Sequence, residues 1–173
     1  MAPPVQIREI SVSEIPVIQR LIQAIWRPTY GGILSAEQSD FMLNWMYSTP
    51  SLTAQMARDH RFLLLTVDDE PTGFASFQPA FNRVFKLQKI YLLPAAQGQG
   101  WGRILLNRVV ENVIAAGGQY LDLNVNRGNA ARVFYEKLGF QILHEEDNYI
   151  GRGFWMNDYV MRLELAGRNG SGN

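Results

Sequence analysis

Over Val84–Leu93 apolar and polar positions alternate, with Phe85, Leu87, Lys89, Tyr91 and Leu93 on one face and Val84, Lys86, Gln88, Ile90 and Leu92 on the other. That period of two predicts a strand. Further on, Leu105, Val109 and Val113, flanked by Leu106, Val110 and Ile114, recur every four residues, while Asn107, Arg108, Glu111 and Asn112 fall opposite. That spacing predicts an amphipathic helix. Between the two lies Leu93-Pro94-Ala95-Ala96-Gln97-Gly98-Gln99-Gly100-Trp101-Gly102-Arg103, so the local order is strand, glycine turn, helix.

The same reading extends along the chain. Val5–Ile10 is an opening strand. Ser13 caps a helix with Ile15, Ile18, Leu21, Ile22 and Ile25 on one face and Pro16 in its first turn, broken at Arg27–Gly32. Ser35 to Gln38 suits a capping box for a second helix bearing Phe41, Met42, Trp45, Met46 and Tyr47. Pro50 ends it, and Ser51–Asp59 adds a short third helix. His60–Val67 and Thr72–Phe81, joined through Asp68–Pro71, read as an antiparallel hairpin. Gln119–Val125 should run parallel to the Val84–Leu93 strand, because a helix intervenes. A short helix from an Asn129 cap to a Gly139 stop buries Ala131, Phe134 and Leu138, with Tyr135 about one helical step (roughly 100°) aside. Phe140–Glu146 and Phe154–Leu165 close the fold, the latter with Tyr159, Met161, Leu163 and Leu165 on one face. Residues 166–173 are a polar tail with nothing to bury. The expectation is an α/β chain with a mixed sheet, one domain over residues 1–173 with its core at about 5–165.

Composition narrows the function more than the fold. At 173 residues one domain buries roughly 70% of its unfolded surface. Sixteen basic and sixteen acidic residues cancel, which leaves no broad footprint for nucleic acid or anionic membrane. The absence of cysteine excludes disulfides, thiolate nucleophiles and thiolate-held zinc, and His60 and His144 share no metal-ligand spacing. No apolar run reaches bilayer length, and the start lacks the pattern of a signal peptide, which predicts a cytoplasmic protein.

The glycine turn carries the chemistry. Gly98, Gly100 and Gly102 bring bare N–H groups together at a helix N-terminus, where they favour a phosphate or pyrophosphate; taken alone, a merely structural turn competes with this reading. Gly102 is followed by Arg103 and Ile104, so a Walker loop fails, and the spacing G-x-G-x-G fails the dinucleotide fingerprint. Gln97, Gly100 and Gly102 instead give Q-x-x-G-x-G, and Asn129 to Phe140 gives N-x-A-x-x-F-Y-x-K-x-G-F. Together these resemble the cofactor site of the GNAT (GCN5-related) N-acetyltransferases, from about Val5 to Leu165.

The resemblance implies the acyl-CoA N-acyltransferase fold, a central mixed sheet with splayed strands flanked by helices, and acetyl-CoA as cosubstrate with no metal. It assigns Ile90, Tyr91, Leu92 and Leu93 to the pantetheine arm, and Gln97, Gly98, Gln99, Gly100, Trp101, Gly102 and Arg103 to the pyrophosphate. Asn129 flanks the arm near the thioester, and Tyr135 is the general acid for the departing thiolate. A backbone N–H around Leu92 would stabilise the oxyanion. Relatives often place a glutamate where this chain has Gln88, so a water chain or another carboxylate, from Glu145, Glu146, Asp147 or Asp158, has to take the ammonium proton. Trp26, Tyr30, Trp45 and Tyr47 are pocket candidates, with Gln88 and Asp158. The segment Asp147–Met161 resembles the end of bacterial polyamine acetyltransferases, whereas Lys86 and Lys89 would repel a cation. The implied acceptor is a small primary amine, with a polyamine as the leading candidate; a peptide N-terminus or lysine, and a non-catalytic acetyl-CoA-binding module, are the alternatives. A homodimer is expected by resemblance, without nucleic-acid or membrane partners.

Overall fold

The structure, a computed structural model, describes residues 2–168. The part of the expected tail at 169–173 lies outside the described residues.

The chain order is β1 (Val5–Ile10), α1 (Ile15–Tyr30), α2 (Ala36–Tyr47), α3 (Thr49–Ala57), β2 (Arg61–Val67), β3 (Glu70–Pro79), β4 (Val84–Leu92), α4 (Trp101–Ala115), β5 (Tyr120–Asn126), α5 (Ala131–Lys137), β6 (Gln141–Gly151) and β7 (Phe154–Glu164). The strands form one sheet in the order β1-β2-β3-β4-β5-β7-β6. Only β4 and β5 run parallel, joined by the α4 crossover; the other neighbours are antiparallel.

Two cores sandwich this sheet. On one face Leu105, Leu106, Val109, Val110 and Val113 of α4 pack with Leu63, Leu65, Phe77, Phe85, Leu87, Leu121, Leu123, Met161 and Leu163. On the other, Ile18, Ile22, Ile25 and Trp26 of α1 pack with Met42, Tyr47, Leu52, Phe62, Leu64 and Phe74. The unbroken apolar run of β2 follows from this, since Phe62 and Leu64 enter one core and Leu63 and Leu65 the other.

The structure departs from the sequence reading of several elements. Ser13 does not cap α1; it lies in a 3₁₀ turn over Val12–Glu14, and α1 has no side-chain cap bond. Nor does α1 break at Arg27. It runs through Pro28 to Tyr30, because Ile25 and Trp26 are buried on the sheet and the ladder resumes with Gly31 N–H donating to Arg27 C=O at 2.9 Å. Pro50 opens α3 rather than closing α2: it sits in the first turn, where its missing N–H costs nothing, behind the cap Ser48, whose Oγ accepts from Ser51 N at 3.3 Å. Ser35 does cap α2, accepting from Gln38 N at 3.1 Å. Finally, β6 continues past Glu146 to Gly151 and turns at Arg152 and Gly153, both with positive φ, so the acidic residues lie on a paired strand.

The core separates neighbours in sequence by burial alone. Leu105 is fully buried under the sheet, whereas Ile104 is 45% exposed. Leu105→Ala should lower the unfolding free energy by about 2–5 kcal/mol in urea titrations, and Ile104→Ala by less than about 1 kcal/mol.

Candidate active site

The site begins where β4 and β5 part. Their parallel ladder runs from Val84 opposite Tyr120 to Leu87 opposite Leu123 and ends there. Beyond it β4 stays with β3, Ile90 against Ala75 and Leu92 against Gly73, while β5 stays with β7, Asn124 against Val160 and Val125 against Tyr159. The parting coincides with a bulge: Ser76 of β3 faces Lys89 and its neighbour Phe77 faces Leu87, so Gln88 is the extra residue.

The bulge overturns the expected faces of β4. Phe85 and Leu87 point into the α4 core, but Ile90, not Lys89, joins them, while Tyr91 and Leu93 enter the α1 core. Lys89 is buried too. Its Nζ donates to Gln55 Oε1 at 2.7 Å and lies 5.5 and 5.6 Å from the ring centres of Tyr47 and Phe62. Burial pulls its pKa down to about 8. The ammonium still carries its charge at neutral pH and Lys89 lines the cleft, so its hydrogen bond to the neutral Gln55 amide fixes its position without removing its repulsion.

Between the parted strands lies a cleft of about 1010 Å³. At one end is the glycine turn. Gly98 and Gly100 have φ of 81° and 86°, which Cβ-bearing residues rarely adopt, and Gly100 caps α4 without a side-chain bond. Gly102 has no such constraint: a Cβ there would make ordinary van der Waals contact with the Phe134 ring at 3.4 Å and with Leu92 at 3.5 Å. Gln97, Gly98, Gly100, Gly102 and Arg103 line this end, and Ile90, Tyr91 and Leu92 the wall. Leu93, Gln99 and Trp101 do not line it; Leu93 packs in the α1 core and Trp101 against the α4 core.

Three phenols also line the cleft. Tyr30 and Tyr91 share a hydroxyl hydrogen bond of 2.7 Å, and Tyr135 packs edge-on between Phe134 and Phe140. Ala131, Phe134 and Leu138 pack half-buried against the α4 core as expected, and Tyr135 is more deeply buried than any of them. Burial, and secondarily the neighbouring Tyr30, pushes the Tyr135 phenol well above its ordinary value. Burial likewise raises Tyr30 and Tyr91, so all three remain protonated at neutral pH. Asn129 lines the cleft beside them, its Oδ1 accepting from Ala131 N at 2.9 Å.

The remaining candidates divide. Tyr30 and Gln88 line the cleft. Trp26 and Tyr47 do not, because both are spent on the α1 core, and Trp45 stacks on Phe41 at the surface. Asp158 lies behind the wall on β7, only 2% exposed, with burial raising its pKa; Asn124 Nδ2 donates to its Oδ2 at 3.3 Å. Asn124 does line the cleft and was not among the predicted residues. Its signal was the polar run Asp122, Asn124 and Asn126 at period two on a central strand. Among the described residues no cluster of three or more His, Asp or Glu side chains is arranged to hold a metal ion.

A family model described as acetyltransferase (GNAT) domain matches residues 33–163. The chain is 32% identical over 113 residues to the ribosomal protein bS18 alanine N-acetyltransferase of Haemophilus influenzae, an alignment spanning 65% of this chain and 75% of that one. It is 26% identical over 144 residues to the spermidine N(1)-acetyltransferase of Thermoplasma acidophilum, spanning 80% and 89%. The crystal structure of PaiA N-acetyltransferase from Thermoplasma acidophilum in complex with coenzyme A superposes with a TM-score of 0.80 over 93% of this chain and 99% of that one; at 24% identity this likeness concerns the fold.

The buried ammonium of Lys89 has a consequence for stability. Its pKa is lowered from 10.5 to about 8, so between those values the unfolded chain binds more protons than the folded one, and stability rises with pH. Below that window both states are charged and the burial penalty stands in full. Urea unfolding should show the wild type gaining about 3 kcal/mol across this window relative to Lys89→Met. A flat difference between the two would contradict the assignment.

Proposed function

The chain belongs to the GNAT acetyltransferases, and from that premise we propose that it moves the acetyl group of acetyl-CoA to the primary amine of a small molecule, with a polyamine as leading acceptor. The observation that carries this reading is the parting of β4 from β5 after Leu87 and Leu123, with a glycine-turned helix N-terminus and the phenols of Tyr30, Tyr91 and Tyr135 lining the gap. Unpaired backbone along Ile90–Leu92 suits an arm carrying amide groups, which would pair with β4 as a missing strand does. The N–H groups at the start of α4, with Gln97 and Arg103 beside them, suit a pyrophosphate.

The residues fit the chemistry in turn. Leu93 N–H donates to Thr72 C=O at 2.9 Å on the β3 side, so the N–H of its neighbour Leu92 is directed toward β5 and the opening. There it meets the oxyanion that develops when an amine attacks a thioester carbonyl. Tyr135 keeps its proton through neutral pH and gives it to the departing sulfur. Gln88 lines the cleft but cannot accept a proton in the useful range. By the same resemblance we assign the enzyme to the cytoplasm as a homodimer.

The acceptor has a second reading, a peptide N-terminus, favoured by the likeness to an enzyme named for a ribosomal protein alanine. Release of free CoA across spermidine, spermine, small diamines, amino acids and short peptides decides between them. Turnover of polyamines and not peptides is expected; peptide-only turnover would move the acceptor to proteins. Tyr135→Phe should lower kcat roughly 10²-fold while the Kd for acetyl-CoA stays within about threefold. An unchanged kcat would remove the acid role.

A further inference from the structure

Two buried acceptor atoms, one on a residue of the cleft wall and one on a residue packed behind it, have no donor among the described residues. Asp158 Oδ1 and Asn124 Oδ1 are both shielded from solvent, and neither has a hydrogen-bond partner among the described residues. They belong to adjacent strands, β7 and β5, in register at Asn126 with Asp158 and at Asn124 with Val160. Asn124 Nδ2 is already shared, reaching Asp158 Oδ2 at 3.3 Å and Glu146 Oε2 at 3.4 Å. None of the charged groups around Asp158 donates to its other oxygen. Arg127 is tied to Asp147 at 2.5 Å and to the backbone carbonyls of Glu146 and Asp158, while Lys86 and Glu146 act on Asp158 through space, as Asp158 acts on Tyr30. Buried lone pairs without donors are costly, and two on hydrogen-bonded neighbours, one of them lining the cleft, ask for a ligand that brings N–H groups. A primary ammonium has three such groups and a charge opposite to that of the carboxylate.

We propose that Asp158 and Asn124 receive the acceptor's primary ammonium and that Asp158 takes its proton, in place of the glutamate that Gln88 replaces. The inference rests on the acetyl-transfer reading and supplies its missing base. The ammonium N–H bond breaks, its proton goes to Asp158, and the freed lone pair forms the N–C bond at the thioester carbonyl. The C–S bond breaks with its electron pair on sulfur, which takes the Tyr135 proton. The second proton of the attacking nitrogen restores Tyr135, and Asp158 returns its own to solvent. The sum is an amide, a thiol and one released proton. Asn124 positions the carboxylate by holding Oδ2, which leaves Oδ1 for the substrate. Glu146, bonded to the same amide, adds negative potential that favours an acceptor with a second cationic centre.

The test uses the full chain with spermidine and saturating acetyl-CoA. Asp158→Asn should cut kcat/KM about 10²-fold near pH 7 with acetyl-CoA affinity within threefold, and the deficit should shrink toward about pH 10, where solvent supplies the free amine. Asn124→Leu should raise the spermidine KM about tenfold with acetyl-CoA affinity kept, and it decides the matter if Asp158→Asn does not fold. Asp158→Asn within threefold of wild type, a deficit that ignores pH, or an unchanged KM in Asn124→Leu would each overturn the proposal. Those results need a wild type that turns spermidine over; a wild type inactive on every amine would sink the acetyl-transfer reading itself.

Discussion

Two parallel strands in the middle of a sheet cannot separate without leaving N–H and C=O groups unpaired, and buried backbone rarely tolerates that. Here β4 and β5 separate after four paired positions, Val84 to Leu87 against Tyr120 to Leu123. The groups this exposes are the wall of the cleft. The parting is held because each strand has a firm partner on its other side: β4 is paired with β3 through Leu92, and β5 with β7 through Asn126. Because the two halves of the sheet are anchored separately, a gap remains that a strand-like ligand can fill.

The bulge at Gln88 makes the gap useful. By adding one residue to β4 it exchanges the faces of everything after it, so Tyr91 turns toward α1 and meets Tyr30, while Ile90 turns toward α4. The exchange also drives the Lys89 side chain into the α1 core, where Gln55 and the rings of Tyr47 and Phe62 receive it. An ammonium in that place opposes stability, and it is tolerated because the same bulge aligns the cleft.

Much of this was legible in the sequence, for a physical reason. Helix α4, strands β1, β2 and β5 and the glycine turn are set by local periodicity and by φ angles that only glycine adopts easily, and both are properties of short segments. What was not legible depends on partners far along the chain. A bulge is a relation between Lys89 and Ser76, so the period-two pattern of β4 read in isolation assigns its second half to the wrong faces. The continuation of α1 through Pro28 depends on burial against the sheet, which outweighs the local preference to stop. Trp26 and Tyr47 looked like pocket residues because aromatic side chains suit a pocket and a core equally, and only the packing of α1 against Phe74 chooses the core. Asn124 was overlooked because asparagine carries no charge and belongs to no recognised motif, although its place on a central strand is unusual for a polar side chain.

The chemistry proposed for the cleft follows from a difference in exposure between its glycine turn and its phenols. Near the glycine turn Gln97, Gly98 and Gly100 are exposed, and backbone donors there meet charge carried in from water. Near the phenols Tyr91, Tyr135 and Asp158 are withdrawn from solvent, and ionisation is penalised for every one of them. The penalty acts in opposite senses on the proposed acid and the proposed base. It keeps Tyr135 neutral and ready to donate, and it raises Asp158 from a poor proton acceptor toward a better one, while Asn124 and Lys86 hold that rise in check. Burial alone therefore prepares a proposed donor in the cleft and a proposed acceptor behind its wall, and Asn124 of β5 engages one carboxylate oxygen and leaves the other without a partner among the described residues.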